Sequence, residues 1–255
     1  MCDGNCSILK KARIRLNELI EKNGFTDKKI TVSYRTLSPE EAIGNPQRRD
    51  YPIIEGKEKV IEAEFMGVKT HVFTDSPAEY TGSLEDIMGL RLDNNRERAI
   101  FIAALNAVMK KTGLISDTMH CKDEEPEKCS KQISEYILER WGKVSVGLIG
   151  FNPAIAETLI GVFGKNAVGI TDLNRKNIGA AKFGVTIWDG YRDTEKLIKT
   201  FEAVIFTGTT AVNGTFDSIL SLITKYNRHY LIYGVTAAGL CCLFNMDRVC
   251  YYGRE

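Results

Sequence analysis

One short polar segment combines a histidine, two cysteines and several carboxylates. His120 and Cys121 are adjacent, Cys129 follows eight residues later, and four acidic residues lie between the two cysteines. Thiolates and imidazoles suit transition metals, and an imidazole can also carry protons near neutral pH. Adjacent side chains diverge on extended backbone, and the paired C-x2-C spacing of structural zinc is absent. The segment therefore predicts either a catalytic or ligand-binding site, with His120 and Cys121 as candidate metal ligands, or ordinary packing.

Two further sites of interest precede this segment. Lys57 lies between Glu55 and Glu58, and this lysine could bind an acidic group or act as an acid–base residue if it is buried. Glu58 beside it is a further candidate catalytic residue. Charged turn residues are usually solvated, which is the alternative. Asn106 lies among apolar residues, where its amide must be hydrogen-bonded either to the fold or to a ligand.

The C-terminal half offers loops that follow buried apolar runs, where an open parallel sheet binds its ligands. The candidate ligand-binding residues in these loops are Gly150, Asn152, Asp172, Thr207, Gly208, Thr209, Asn213 and Thr215. Asn152 can cap the following helix, and Asp172 could either hold ribose hydroxyls or cap a turn. The dinucleotide pattern G-x-G-x-x-G is absent. Four interpretations stay open: a nicotinamide or flavin dinucleotide, a ligand resembling S-adenosylmethionine, some other small anionic ligand, and simple tight turns without a ligand.

Hydrophobic spacing predicts the elements that position these residues. Apolar residues at helical spacing indicate helices over 8–22, 96–112 and 125–141, and alternating residues indicate a hairpin that turns at Met66-Gly67. After residue 142 the pattern changes to apolar strands near 144–150, 185–188, 203–206 and 230–233, with one more run that ends at 171–172. Helices over 154–163, 194–200 and 216–226 separate most of them. Such alternation is typical of βαβ units. We expect an α/β protein with an N-terminal α+β domain (1–142) and a C-terminal Rossmann-like, mostly parallel sheet with flanking helices (143–255).

Composition limits the class of protein. The 255 residues are 44% apolar, and the net charge is +1, so neither nucleic acid nor a membrane is an expected partner. A small molecule is the expected partner, and a homo-oligomer is left open. The N-terminus lacks the apolar core of a signal peptide, so a cytoplasmic location is expected. Of the seven cysteines, Cys241, Cys242 and Cys250 are expected to fill the core, and Cys2 with Cys6 either frays or contributes to metal binding.

Taken together, these residues resemble a family of unknown function labelled putative heavy-metal chelation. Its members join an enolase N-terminal-like domain to a Rossmann-like domain. The matching stretches are residues 35–44, 55–58, 71–74, 103–107, 120–121, 172–174, 177–179, 207–210 and 212–215. The resemblance implies a site between the domains. It also implies a role in condensation or hydrolysis steps that make flavin-, pterin- or siderophore-like molecules, or in heavy-metal chelation. It does not imply enolase activity, because no enolase metal triad is present.

Three functions follow from these observations. The favoured one is an enzyme that acts on a small anionic or heterocyclic molecule, with His120 as proton carrier and with Lys57 and the Thr207 loop as anchors. The alternatives are a non-catalytic protein that binds a metal or a chelate, and a protein that binds a nucleotide or S-adenosylmethionine. The cofactor is therefore left open between a transition metal and an S-adenosylmethionine-like ligand.

Overall fold

The computed structural model describes residues 7–27 and 31–255 and contains two β-sheets flanked by helices. One sheet has four antiparallel strands in the order β3-β2-β1-β4. The other has seven strands in the order β11-β10-β9-β5-β6-β8-β7, all parallel except β7. The expected mixed α/β class is confirmed. Cys2 and Cys6, for which a metal role was considered, lie outside the described residues.

The antiparallel sheet comes from the first part of the chain. Its elements and the helices around them are α1 (Ile8–Lys22), β1 (Thr31–Leu37), α2 (Pro39–Ile43), β2 (Lys59–Phe65), β3 (Val68–Thr74), β4 (Tyr80–Ser83), α3 (Leu84–Met88), α4 (Asn95–Lys111) and α5 (Glu125–Trp141). Helix α2 begins with the capping box that Ser38 and Glu41 predict, and the hairpin β2–β3 turns at Met66-Gly67.

The parallel sheet and its helices follow. Its elements are β5 (Val146–Ile149), α6 (Pro153–Phe163), a 3₁₀ turn (Lys165–Ala167), β6 (Val168–Asp172), β7 (Ala181–Lys182), β8 (Val185–Asp189), α7 (Thr194–Thr200), β9 (Ala203–Thr207), α8 (Thr210–Asn213), α9 (Phe216–Tyr226), β10 (His229–Tyr233), α10 (Ala238–Leu243) and β11 (Arg248–Val249). Strands β5, β6 and β9 are buried on both faces, which explains their unbroken apolar sequence.

Helix α4 joins the two sheets. All of its residues from Ala99 to Met109 are buried, and they share one apolar cluster with Ile61 of β2 and Phe206 of β9. A helix that is apolar on every side belongs in the interior. Helix α4 therefore fixes how the two sheets face each other.

Helix α5 packs against the parallel sheet, although it precedes residue 142. Its Ile133 and Ile137 lie in one cluster with Leu148 of β5 and Ile170 of β6. The division of the chain at residue 142 stays a prediction. Within residues 7–27 and 31–255, no helix has the length and apolar character needed to cross a bilayer.

Candidate functional site

A cavity of about 1030 Å³ opens between the two sheets at the carboxyl ends of the parallel strands. Loop residues 51–58 and the segment around His120 form its opposite wall. It brings together most of the residues that the sequence singles out. These are Lys57, Glu58, His120, Cys121, Gly150, Asn152, Asp172, Thr207, Thr209, Asn213 and Thr215.

Asn106 and Gly208 are not among the cavity-lining residues. The fully buried Asn106 amide donates to the Thr236 carbonyl (3.0 Å) and accepts from the Gly239 N–H (2.8 Å), so it ties α4 to the chain after β10. A Cβ at Gly208 would lie 2.7 Å from the Ala237 nitrogen. Both residues therefore hold the fold next to the cavity, which is the structural alternative considered for Asn106.

Glu58 is the most unusual carboxyl of the cavity. Burial raises its pKa to about 7, and the negative charges of Asp172 and Asp75 act in the same direction. Within the described residues, no donor forms a hydrogen bond with its side chain. Glu58 is therefore poised to gain or lose a proton near neutral pH.

His120 has the opposite shift. Burial lowers its pKa to about 4, so the imidazole is neutral at pH 7. Its ring packs edge-on against Phe73 with a centroid separation of 4.9 Å. The expectation that His120 carries protons depended on its unperturbed pKa, and the enclosed position on the cavity wall removes that basis.

A second histidine holds the His120 segment in place. The His120 backbone N–H donates to Nδ1 of His71 (3.1 Å), and Nε2 of His71 lies 3.4 Å from the Glu62 carboxylate. Because Nδ1 accepts, the proton of a neutral His71 lies on Nε2 and points at Glu62. Hydrogen bonds from His71, Arg35 and Lys69, together with the positive charge of Arg35, lower the pKa of Glu62 to about 2.

Three thiols lie near His120. Cys121 Sγ is 3.9 Å from His120 Nε2, and Cys129 and Cys250 also line the cavity. Burial raises the pKa of all three thiols, that of Cys250 to about 11. Sulfur and imidazole donors match heavy metals chemically, but no three His, Cys, Asp or Glu side chains in the described chain are arranged to hold an ion. A bare metal ion therefore does not find a preformed site here.

The cysteines also correct one sequence expectation. Of the three cysteines expected to fill the core, Cys241 is buried there, whereas Cys242 is exposed and Cys250 faces the cavity. Apolar neighbours in sequence did not reveal that the last segment of the chain returns to the cavity, where Arg254 pairs with Met119 in a short antiparallel bridge.

Asp172 organises the loops at the ends of β5 and β6. Its carboxylate accepts from the Phe151 N–H (2.9 Å), the Asn174 N–H (2.6 Å) and the Asn177 side-chain amide (3.2 Å). Asp172 therefore caps these turns, which was one of its two predicted roles, and it also lines the cavity. Nearby, Asn152 caps α6 as its sequence position predicts.

The threonine loop after β9 is largely bonded to itself. The Thr207 and Thr209 hydroxyls lie 3.1 Å apart, and the Thr210 hydroxyl donates to the Thr207 carbonyl (2.7 Å). Asn213 Oδ1 accepts from the backbone N–H (3.1 Å) and the hydroxyl (2.7 Å) of Thr215. The loop presents hydroxyls to the cavity, but several of their hydrogen bonds are already internal.

The loop that carries Lys57 and Glu58 is fastened to the helices of the parallel sheet. Arg48 bonds to Glu157 on α6 and lies 3.5 Å from Glu127 on α5, and the Tyr51 hydroxyl donates to Glu127 (2.7 Å). The contacts of Arg48 and Tyr51 hold this loop so that Glu58 lies on the cavity wall. Lys57 is paired with Glu55, which is not one of the predicted site residues.

Many cavity residues were not singled out from the sequence, and three polar ones among them are Asp75, Tyr191 and Tyr233. Asp75 follows β3, Tyr233 ends β10, and Tyr191 follows β8 with 75% of its surface exposed. The strand-end rule points directly at Tyr233, because it is the last residue of β10. Asp75 lies in a polar turn, and such turns are usually solvated.

Comparison with known proteins agrees with the resemblance seen in the sequence. A family model described as "putative heavy-metal chelation" matches residues 132–247. A crystal structure of a protein of unknown function from Pyrococcus horikoshii, assigned to the same family, is 16% identical with a TM-score of 0.53; the match covers 91% of this chain and 80% of that one. A second, from Desulfitobacterium hafniense, is 14% identical with a TM-score of 0.46, covering 78% and 74%. Among curated proteins nothing matches. The Pyrococcus likeness supports the fold and carries no statement about activity.

Proposed function

We propose that this chain, whose residues 132–247 match the family described as putative heavy-metal chelation, is an enzyme that transfers protons to or from a small molecule in the cavity between its sheets. One observation carries the proposal. Glu58 is an enclosed carboxyl without a hydrogen-bond partner in the described chain, and its pKa of about 7 matches the working range of a general acid or base.

Glu58 replaces His120 as the proton carrier in this proposal. A proton-transfer group is most effective when its pKa lies near the ambient pH. His120, with its pKa lowered to about 4, is a neutral imidazole that can accept or donate one hydrogen bond to the bound molecule. Its backbone bond to His71 supports its position on the cavity wall.

The lining favours a ring-containing substrate over a simple anion. Aromatic side chains of Tyr51, Phe73, Phe151 and Tyr233 lie on the cavity wall, and its volume is at the upper end for small-molecule sites. Lys57, the expected anion anchor, is already bonded to Glu55. A heterocyclic molecule held between aromatic rings and threonine hydroxyls therefore fits the site better than an anion does.

The test is a search for turnover with a matched pair of variants. Purified protein is incubated with a pool of cellular metabolites, and consumption of each compound is followed by mass spectrometry. A compound consumed by the wild type should be consumed about 10²- to 10⁴-fold more slowly by Glu58→Gln, the usual range for a lost acid–base group. Glu64→Gln, a half-exposed glutamate outside the cavity, is the control and should match the wild type. Turnover that survives in Glu58→Gln would overturn the proposal.

Binding of a metal chelate without catalysis is the second candidate. His120, Cys121, Cys129 and Cys250 line one region of the cavity, and a chelator would supply the ligands that these side chains do not complete. Elemental analysis of protein purified without a metal-affinity tag, before and after incubation with cellular metabolites, tests this function. Transition metal well below about a tenth of an equivalent in both samples would contradict it.

A further inference from the structure

We infer that the molecule bound in the cavity carries an organic cation, such as a protonated amine, beside Glu58, Asp75 and Asp172. The inference rests on the proposed function, because it assigns the charge of the ligand at the same site. It differs from the anionic ligand that the sequence suggested, and it follows from how the charges in the cavity are paired.

The cations of the cavity are not available to these three acids. Lys57 bonds to Glu55. Arg192 lies 3.7 Å from Asp189, with 85% of its side chain exposed at the cavity mouth. In the described part of the chain, Glu58, Asp75 and Asp172 therefore form no ion pair.

Two of the three carboxyls accept only neutral donors, and the third has none. Asp75 accepts from the Asn95 side-chain amide (2.9 Å) and the Ser76 hydroxyl (2.8 Å). Asp172 accepts from two backbone N–H groups and the Asn177 amide. Of the three carboxyls, Glu58 is enclosed and Asp75 is exposed. An enclosed carboxylate without a positive partner, as Glu58 is, is unfavourable unless a proton or a cation compensates it. The charges of Asp75 and Asp172 act on Glu58, so one cation in this region would interact with all three.

A separate observation also indicates a ligand in this region. Thr171 directly precedes Asp172, its side chain is fully buried, and it belongs to the cavity lining. Its hydroxyl has no hydrogen-bond partner among the described residues. Buried hydroxyls are nearly always paired, so this one marks a place for a polar group of the bound molecule.

An organic cation fits this region better than a metal ion does. A metal needs several ligand atoms converging on one point, and no three acidic, histidine or cysteine side chains of the described chain provide that. An ammonium group instead directs up to three N–H donors outward, and each can reach a separate carboxylate. The aromatic walls at Tyr51 and Tyr233 would hold the apolar part of the same molecule.

Three probes that share one ring and differ in charge test the inference. Tryptamine is cationic, tryptophol neutral and indole-3-acetate anionic, and each is titrated into ¹⁵N-labelled protein at a pH near 8.5, where Glu58 is ionised. We expect tryptamine to shift the amide signals of Thr171 and Asp172 and to bind at least about tenfold more tightly than indole-3-acetate. Equal or tighter binding of indole-3-acetate, or no response at these amides to any probe, would overturn the inference.

Two variants locate the effect. Glu58→Gln should weaken tryptamine roughly tenfold and leave tryptophol unchanged, because only the charge interaction is lost. Glu64→Gln should leave both unchanged. If tryptamine binds equally well to Glu58→Gln, Glu58 does not interact with the bound cation. If turnover depends on Glu58 but tryptamine is not preferred over indole-3-acetate, the cationic ligand is refuted and the proton-transfer proposal stands. If tryptamine is preferred but turnover does not depend on Glu58, only the proton-transfer proposal is refuted.

Discussion

Replacing Glu58 by glutamine should make the protein more stable at alkaline pH. The pKa of Glu58 is about 7 in the folded chain, whereas the ordinary value is 4.5. A carboxyl whose folded pKa is raised binds its proton more tightly in the native state, so its ionisation destabilises the fold. The loss begins above pH 4.5 and is complete above the folded pKa.

The size of the effect follows from the shift. Each pKa unit corresponds to about 1.36 kcal/mol, so the shift from 4.5 to about 7 corresponds to at most about 3 kcal/mol. Water in the open cavity reduces this figure, and we expect roughly 1 to 3 kcal/mol for Glu58→Gln at a pH near 8.5. Near pH 4.5 both proteins are neutral at this position, and the difference should vanish.

The titration of His120 also changes the stability of the wild type with pH, so the effect of Glu58 must be measured as a difference between the variant and the wild type. Its folded pKa of about 4 lies below its ordinary 6.5, so its contribution to stability is lost as the pH falls from 6.5 through 4. This trend opposes that of Glu58 in the same window, and the wild-type curve alone would mix the two. The difference between Glu58→Gln and wild type isolates the carboxyl.

Urea unfolding at several pH values measures this difference, and thermal midpoints provide a check at about 2 to 4 °C per kcal/mol. Glu64→Gln should follow the wild type throughout. A Glu58→Gln variant that is destabilised at every pH, or shifted by a constant amount, would show that the glutamate is not strained by its burial. The reasoning about the cavity would then be wrong.

Three other substitutions test the surroundings of the cavity. Asn106→Ala should lower the free energy of unfolding by roughly 3 kcal/mol in urea titrations, because two buried backbone groups lose their partner. Asp172→Asn should cost roughly 1 to 3 kcal/mol and accelerate amide hydrogen exchange in the loops it holds, since an amide can turn only one acceptor toward those donors. Gly208→Ala should cost roughly 1 to 3 kcal/mol because its Cβ would collide with Ala237, whereas Gly161→Ala, with open space around it, should not destabilise. A neutral outcome for any of the three destabilising changes contradicts the packing described for it.

The regular elements could be predicted from sequence because their spacing is local. Helix α1, the hairpin and the strands of the parallel sheet lie within a few residues of the expected bounds. The short elements β4, α3, β7, α8, α10 and β11 were not predicted, since runs of two to six residues carry no measurable period. Helix α4 was expected to have one apolar face, but it is apolar on all sides because both sheets pack on it.

The part of the site that depends on local sequence could also be predicted. Strand ends could be found along the chain, so Asp172 and Thr207 were correctly placed at one edge of the parallel sheet. The pKa values of Glu58 and His120 depend on residues far away in sequence, which no spacing reveals. The contact between His71 and His120 could not be predicted, because it joins positions 49 residues apart in the chain.

The measurement that tests the central claim most directly is a ¹³C NMR titration of the Glu58 carboxyl in the ligand-free protein, assigned by comparison with Glu58→Gln. We expect a midpoint near pH 7 in the free protein. The midpoint should fall when tryptamine is bound, because a nearby cation favours the ionised carboxylate. A midpoint at the ordinary value near 4.5 would mean that this carboxyl is solvated, and both the proton-transfer role and the unpaired charge in the cavity would be contradicted.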